Sequence, residues 1–534
     1  MMSPPATRRC LTSHTFPGER IMHQPLRVDV AAEPDGRVRS ARPIGSRRRP
    51  SARATVEVPA SAPPAYSAHA RRDDQRWLDV TRCGAAEVFG EPAERRFTLR
   101  YWTGFEERPT GGASDFTLVL THAGALRRML LPPSELAIGE AFVRGDFDVE
   151  GSLERAAALA PVITERLQSL PRLARLLRLL RKLPANGAPS PNMPQHRPSV
   201  RHLGRRHSRG RDAEAIRHHY DVGNEFYELW LDEEMVYSCA YFRGESDDLD
   251  DAQRAKLDHI CRKLRLQPGE RFLDIGCGWG GLIRHAARHY GVRALGITLS
   301  PAQASHARER IASEGLADQC RVEVRDYREL GGAGQFDKVV SVGMVEHVGR
   351  RELVRYFRTV FDLTAPGGLF LNHGIVSLDD ARSRAFGDRL RQWLWRRGEF
   401  MDRYVFPDGE LATLGTMCAH AERAGYEPRD VEGLREHYTH TLRHWVRRLE
   451  ARAEAALAHV GAPAFRVWRL YMAVSAHAFA VGRIGVAQVL LARPDAAGRC
   501  HLPLTREDLH ASTAHPLARS ARQQIGASHA RHER

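Results

Sequence analysis

Apolar and polar positions alternate over Phe97–Trp102 and again over Phe116–Leu120, the two-residue period of half-buried strands. Ile138-Gly139-Glu140-Ala141-Phe142 and Gly145-Asp146-Phe147-Asp148 follow between Leu136 and Ala160, with Ser152 placed to cap a helix. Together they predict a small α+β unit whose order begins near Arg76. The period then lengthens. From about Ile163 to Leu183 the spacing predicts one helix, with Leu173, Leu176, Leu177 and Leu180 on one face and Arg172, Arg175, Arg178 and Arg181 beside them. Such a helix can lie on an anionic membrane surface. Taken alone, it reads first as an ordinary packed helix with a charged outer side.

Beyond a Pro/Gly/Arg/His stretch the pattern becomes strand–helix–strand, which predicts an α/β domain. Apolar runs at Phe272–Ile275, Val292–Ile297, Val322–Arg325, Phe336–Val342 and Gly368–Leu371 read as strands. Leu282–Tyr290 reads as a helix, and Ser300-Pro301 starts another. The longest apolar stretch, Tyr471–Ala492, carries His477 and Arg483 and is predicted to be a buried helix. No uninterrupted apolar run reaches the ~18 residues of a membrane span. The N-terminus lacks the continuous apolar stretch of a signal peptide.

Composition adds limits. Of 534 residues 42% are hydrophobic, enough for a large core, so disorder of the whole chain is excluded. The organisation predicted is a disordered Arg/Pro/Ala-rich arm at 1–72, the small α+β unit at 73–184, a linker at 185–211, the α/β domain at 212–504 and a disordered tail at 505–534. The charge of +15 is almost all arginine, since lysine stands only at 182, 256, 263 and 338. That excess permits binding to phospholipid or nucleic acid without choosing between them. The 8 cysteines show no C-x-x-C pair, so neither a disulfide framework nor a metal site is predicted, and a reducing cytoplasm fits best.

The strongest chemical signal is Phe272-Leu273-Asp274-Ile275-Gly276-Cys277-Gly278-Trp279-Gly280-Gly281. A buried strand ending in glycines that open a helix lets a ligand approach backbone at a helix N-terminus. Asp274 can serve the loop or a ligand amine. Pyridine nucleotides compete for such a loop, but the second strand ends in Thr298-Leu299-Ser300 without the terminal acid they need. D-x-G-C-G-x-G followed by F-D-x-V resembles class I S-adenosyl-L-methionine (SAM)-dependent methyltransferases more closely.

Further segments narrow the resemblance. His219-Tyr220-Asp221-Val222-Gly223-Asn224, Tyr237-Ser238-Cys239-Ala240-Tyr241-Phe242, the glycine loop, Gly343-Met344-Val345-Glu346-His347-Val348-Gly349 and Tyr404-Val405-Phe406-Pro407-Asp408-Gly409 stand in one order. In order and spacing they resemble the cyclopropane-fatty-acyl-phospholipid synthase family, which includes mycolic acid cyclopropane synthases, over about Asp212–Arg493. The unit before the linker resembles that family's N-terminal lipid-associated domain more faintly. The resemblance implies a Rossmann-like class I SAM methyltransferase domain preceded by a small α+β N-terminal domain. It further implies SAM contacts by Tyr237, Ser238, Gly276, Gly278 and Gly280. Thr298 and Gln303 would replace a ribose-binding acid, and Tyr327 would lie near the adenine. A bicarbonate site would be formed by Cys239, Glu346, His373, Ile375 through its backbone, and Tyr438.

That set suits the chemistry implied. An isolated alkene is a weak nucleophile, so the donor methyl must be held in line with it in a dry pocket. Attack leaves a carbocation, and ring closure needs loss of a proton from the delivered methyl, for which a bound bicarbonate is the implied base. Each residue alone has a plainer reading: a packed Cys239, a surface pair Glu346-His347, a core His373, a space-filling Tyr438. Some family members carry a cysteine in the late helix where this chain has Ser475, so no nucleophile there can be required.

The implied activity is methylene transfer from SAM to a cis double bond of an unsaturated phospholipid acyl chain. It would be performed by a cytoplasmic protein at the inner membrane face, with a homodimer as an open option. Within the same fold the alternative is C-methylation giving a methyl-branched or methylene lipid. A nucleic-acid methyltransferase is disfavoured because no [D/N/S]-P-P-[Y/F/W] loop follows the fourth strand. A lipid-binding protein with an inactive methyltransferase domain is disfavoured by the intact set of site residues.

Overall fold

Leu78, Thr81, Ala85 and Val88 recur at helical spacing, and all are buried on the inner face of α1 (Ala68–Phe89). The computed structural model describes residues 68–185, 206–212, 214, 222–378 and 398–510. Helical order therefore starts at Ala68, inside the span expected to be a disordered arm and ahead of Arg76. The rest of that arm lies outside the described residues.

α1 packs on a four-stranded sheet ordered β2-β1-β3-β4, formed by Thr98–Arg100 (β1), Glu106–Glu107 (β2), Phe116–Leu120 (β3) and Phe147–Gly151 (β4). β3 alternates buried and half-buried as its sequence pattern requires. α2 (Ala125–Leu130) and α3 (Glu135–Arg144) lie between β3 and β4. α3 is capped by Ser134, and Ser152 caps α4 (Leu153–Ala157) by accepting from Arg155 N. The single helix expected over Ile163–Leu183 is instead two, α5 (Leu159–Arg166) and α6 (Leu170–Leu180). Pro171 cannot donate to a preceding turn, so it stands in the first turn of a new helix. Leu176 and Leu180 enter the core of this sheet, while Arg172 and Arg175 pair with Glu87 of α1 at 3.3 and 2.8 Å. This helix packs on protein.

The larger sheet has seven strands in the order β10-β11-β9-β8-β5-β6-β7. β5 (Arg271–Ile275), β6 (Arg293–Thr298), β7 (Cys320–Val324), β8 (Phe336–Val342) and β9 (Thr364–Ser377) are parallel. β11 (Ile484–Ala492) is antiparallel to β9 and to β10 (Glu427–Gly433). β5 lies between β6 and β8, where the strand order reverses and open α/β sheets bind ligands.

The stretch Tyr471–Ala492 is only half helix. The helix Ala453–Ala480 ends, Gly482 turns the chain at φ 69°, and β11 begins. A buried strand and a buried helix carry the same unbroken apolarity, and β-branched Ile484, Val486 and Val489 decide for strand. That helix serves both sheets: Ala473 lies in the core of the small one, and Tyr471, Met472, Ala476 and Phe479 lie in an aromatic core beside the large one.

Two chain segments expected to be loose are anchored. Arg206 and Arg211 pair with Asp408, and Asp212 pairs with Arg328. Glu507–His510 is a short helix with Leu509 buried, its carbonyl accepting from Arg262 Nη1. Residues 186–205 of the expected linker and 511–534 of the expected tail lie outside the described residues. Among the described residues no helix is long and apolar enough to cross a membrane.

Candidate active site

β5 ends at Ile275, and the chain passes through Gly276 (φ 83°) and Gly278 (φ 54°) to Gly280 (φ 81°), which caps the helix Gly281–Tyr290. Positive φ makes glycine the default at these turns. Close packing adds a separate demand at Gly281, where a Cβ would meet Glu234 O at 2.7 Å. The loop walls a cavity of about 150 Å³ lined also by Tyr237, Ser238, Asp274, Thr298, Gln303 and Tyr327. Every residue expected to hold the cofactor borders this space except Gly280, whose part is to turn the chain into the helix. Thr298 Oγ1 donates to Gln303 Oε1 at 2.8 Å, presenting the Gln303 amide at the end of β6. His219, Tyr220 and Asp221 lie outside the described residues, but Asn224 of the same motif accepts from Trp279 Nε1 at 2.8 Å.

A second, larger cavity of about 630 Å³ reaches from Cys239, Glu346, His373, Ile375 and Tyr438 into the small sheet's core. Tyr237, Ser238, Gly343 and His347 border both cavities, so the two share one wall. The structure therefore brings together all five residues expected around an anion. One detail departs from expectation. Ile375 N–H donates to Glu346 Oε1 at 2.7 Å, so this backbone group steadies the carboxyl and is not left for a guest. Glu346 Oε2 and His373 Nε2 are buried and make no hydrogen bond among the described residues. With Gln488 Nε2 donating to His373 Nδ1 at 3.2 Å, the imidazole proton falls on Nε2. Ser475 lines the same cavity.

The segment bearing Ser238 and Cys239 is pinned from both sides. Gln253 Nε2 donates to the carbonyls of Val236 and Ser238 at 3.1 and 2.9 Å. Ala240 N donates to Thr441 Oγ1 at 3.0 Å, and the Cys239 thiol donates to Ala240 O and Leu434 O. Burial pushes that thiol well above its ordinary range, so it is a neutral packed group and not a nucleophile. Tyr237 sits among Tyr227, Trp230, Trp445 and Trp468, its hydroxyl 3.0 Å from that of Tyr471.

Burial governs the charges as well. It lifts Glu346 to about 7 and drops His373 to about 3, so a neutral imidazole stands beside a carboxyl that holds its proton well into the neutral range. Asp274 is raised to about 7 by burial, opposed by Lys256, and its Oδ1 has no hydrogen-bond partner among the described residues. Lys256, missed in the sequence, lines the glycine-loop cavity and donates to Ser238 Oγ at 2.9 Å. Its signal was present: in a chain that uses arginine almost throughout, the rare lysines at 256 and 263 are both buried. His347, read as a possible surface group, is half-buried, and desolvation drops its pKa to about 4.

Comparison with known proteins follows the same residues. The family described as mycolic acid cyclopropane synthetase matches residues 207–489. A probable fatty acid methyltransferase of Pseudomonas putida is 43% identical over 400 residues, covering 75% of this chain and 93% of that protein. The cyclopropane-fatty-acyl-phospholipid synthase of Escherichia coli is 36% identical over 275 residues, covering 52% of this chain and 66% of that one. Among solved structures, the cyclopropane synthase MmaA2 of Mycobacterium tuberculosis superposes with a TM-score of 0.50 at 32% identity, over 52% of this chain and 97% of that one.

Proposed function

The chain belongs to the mycolic acid cyclopropane synthetase family of SAM-dependent lipid methyltransferases and cyclopropane synthases, and from that premise we propose that it adds a methylene group across a cis double bond of a phospholipid acyl chain. The observation that carries this reading is the apolar cavity of about 630 Å³ whose polar corner backs onto the glycine-loop cavity. A hydrocarbon fits such a space, and a nucleotide or a polar metabolite does not.

When bound, SAM supplies an electrophilic methyl group. This chain's own part is to hold and orient. The glycine loop and the helix after it receive the ligand's backbone-facing side, and Asp274 offers a buried acceptor for an ammonium group. Ser238, fixed by Lys256, stands at the shared wall where the two cavities meet. Bicarbonate, when bound, supplies a small base for the proton released in ring closure. The residues fit an anion: His373 Nε2–H and a protonated Glu346 are donors without partners among the described residues, and Tyr438 lines the same corner. Apolar walls keep water from the cationic carbon.

The test is to express the chain in a host lacking cyclopropane lipids and to seek, by mass spectrometry, acyl chains heavier by one methylene group that resist hydrogenation. Heavier chains that carry a methyl branch or an exocyclic methylene would replace ring closure by the second reading, simple C-methylation. The name carried by the Pseudomonas putida relative favours that alternative.

A further inference from the structure

We propose that the small sheet's core is the end stop of the acyl cavity, so that the enzyme selects an alkene by its distance from the methyl terminus of the chain. This deepens the acyl reading above and rests on it. The far wall of the cavity is built by Phe89, Leu118, Met129, Phe147, Val149 and Leu153, none more than 6% exposed. All six belong to the core of the small sheet and not to the methyltransferase sheet.

The two ends of the cavity differ chemically. Glu346, His373 and Tyr438 gather at the end shared with the cofactor cavity, whereas the far wall has no polar side chain. A lipid head group or carboxylate pressed against that wall would lose its hydration with nothing in return. Only the hydrocarbon terminus suits it. Exposed lining residues include Asp402, Gly409 and Val474 as well as Ala160 and Pro161, and there the polar end of a lipid can remain in water.

A buried apolar wall and a fixed reacting corner together make a ruler. If the terminus rests on the end wall, the number of carbons between terminus and alkene decides whether the alkene reaches the shared wall at Tyr237 and Ser238. A mismatch of one methylene in a pocket of this kind costs about 10-fold in turnover efficiency or more. The carboxyl side of the chain, leading out to solvent, carries no such constraint.

The experiment uses the full chain, SAM and vesicles of phosphatidylethanolamine and phosphatidylglycerol bearing defined monounsaturated chains. One series fixes the distance from alkene to methyl terminus and lengthens the carboxyl side; the other does the reverse. The expected result is near-constant turnover in the first series and a drop of about 10-fold per methylene in the second. Leu118→Phe, which fills the far end, should move the optimum toward alkenes nearer the terminus. Phe147→Leu, which opens it, should move the optimum the other way. Turnover that follows distance from the carboxyl end, or an unmoved optimum in both folded variants, overturns the proposal. Should one variant fail to fold, the two chain series and the other variant still decide. A wild-type protein that binds S-adenosylhomocysteine yet modifies no chain in either series would sink the acyl reading itself, a different failure.

Discussion

Glu346→Gln should leave the protein less active but more stable, by a margin that grows as pH rises from 4.5 to about 7. Glu346 Oε1 accepts from Ile375 N at 2.7 Å, Oε2 has no hydrogen-bond partner among the described residues, and burial lifts the group from 4.5 to about 7. Below the unfolded value both states hold the proton and the group contributes no pH dependence. Between 4.5 and about 7 the folded state keeps a proton that the unfolded chain releases, so stability declines as pH rises. Above about 7 the loss is complete, on the order of 3 kcal/mol at 1.36 kcal/mol per pH unit. A glutamine carbonyl can still accept from Ile375 and carries no charge. The difference in melting temperature, variant minus wild type, should therefore be small at about pH 5 and grow to several degrees by about pH 8. Differential scanning fluorimetry of both proteins across that range measures it, and titration of every other group cancels in the difference. S-adenosylhomocysteine affinity should stay within about 2-fold while lipid turnover is nearly lost. A difference independent of pH, or one that shrinks as pH rises, would refute a carboxyl held neutral by burial.

Three other outcomes are expected. Lys256→Met removes the donor to Ser238 and the cation nearest Asp274, and calorimetry with S-adenosylhomocysteine should show affinity falling about 10-fold or more, with Lys256→Arg recovering only part. Gly281→Ala drives a Cβ to 2.7 Å from a backbone carbonyl that cannot swing aside, so denaturant unfolding should register a loss of about 1–3 kcal/mol. Arg284, 1% exposed, pairs with Glu234 and Glu314; Arg284→Ala leaves Glu234 without its ion pair while Glu314 keeps Arg288 and Arg310, and should cost about 1–3 kcal/mol, whereas Arg175→Ala, at a more exposed pair with Glu87, should change the melting temperature by less than a degree or so.

Most of the large sheet was legible because β5 and β6 are short apolar runs each followed by a helical period, and the glycine loop announces its own turn. The antiparallel pair was not. β10 reads Glu427-Pro428-Arg429-Asp430-Val431-Glu432-Gly433, charged enough to pass for a loop, and is held by pairing with β11. β11 in turn continues the apolarity of the preceding helix, and only Gly482 and the β-branched residues after it mark the change. Pro171 signalled the break between α5 and α6, but the leucine spacing on either side masked it. At the site, motif register pointed to Cys239, Glu346, His373 and Tyr438, which the fold gathers on one cavity. It could not identify the cavity's far wall, because Leu118, Met129 and Phe147 are indistinguishable in sequence from any buried apolar residue. Nor could it foresee that Ile375 N–H is already committed to Glu346, since that depends on where β9 passes the turn after β8.

Beyond its kink at Gly461, the helix Ala453–Ala480 is a single beam under two roofs. Leu470 and Ala473 rest against the small sheet's core, while Tyr471 reaches the hydroxyl of Tyr237 from the neighbouring position. Loosening at α3 or α4, which pack on this helix, has a direct mechanical route to the wall shared by the two cavities. Damage far from the glycine loop should therefore surface first as lost registration between the two reactants, before either of them ceases to bind.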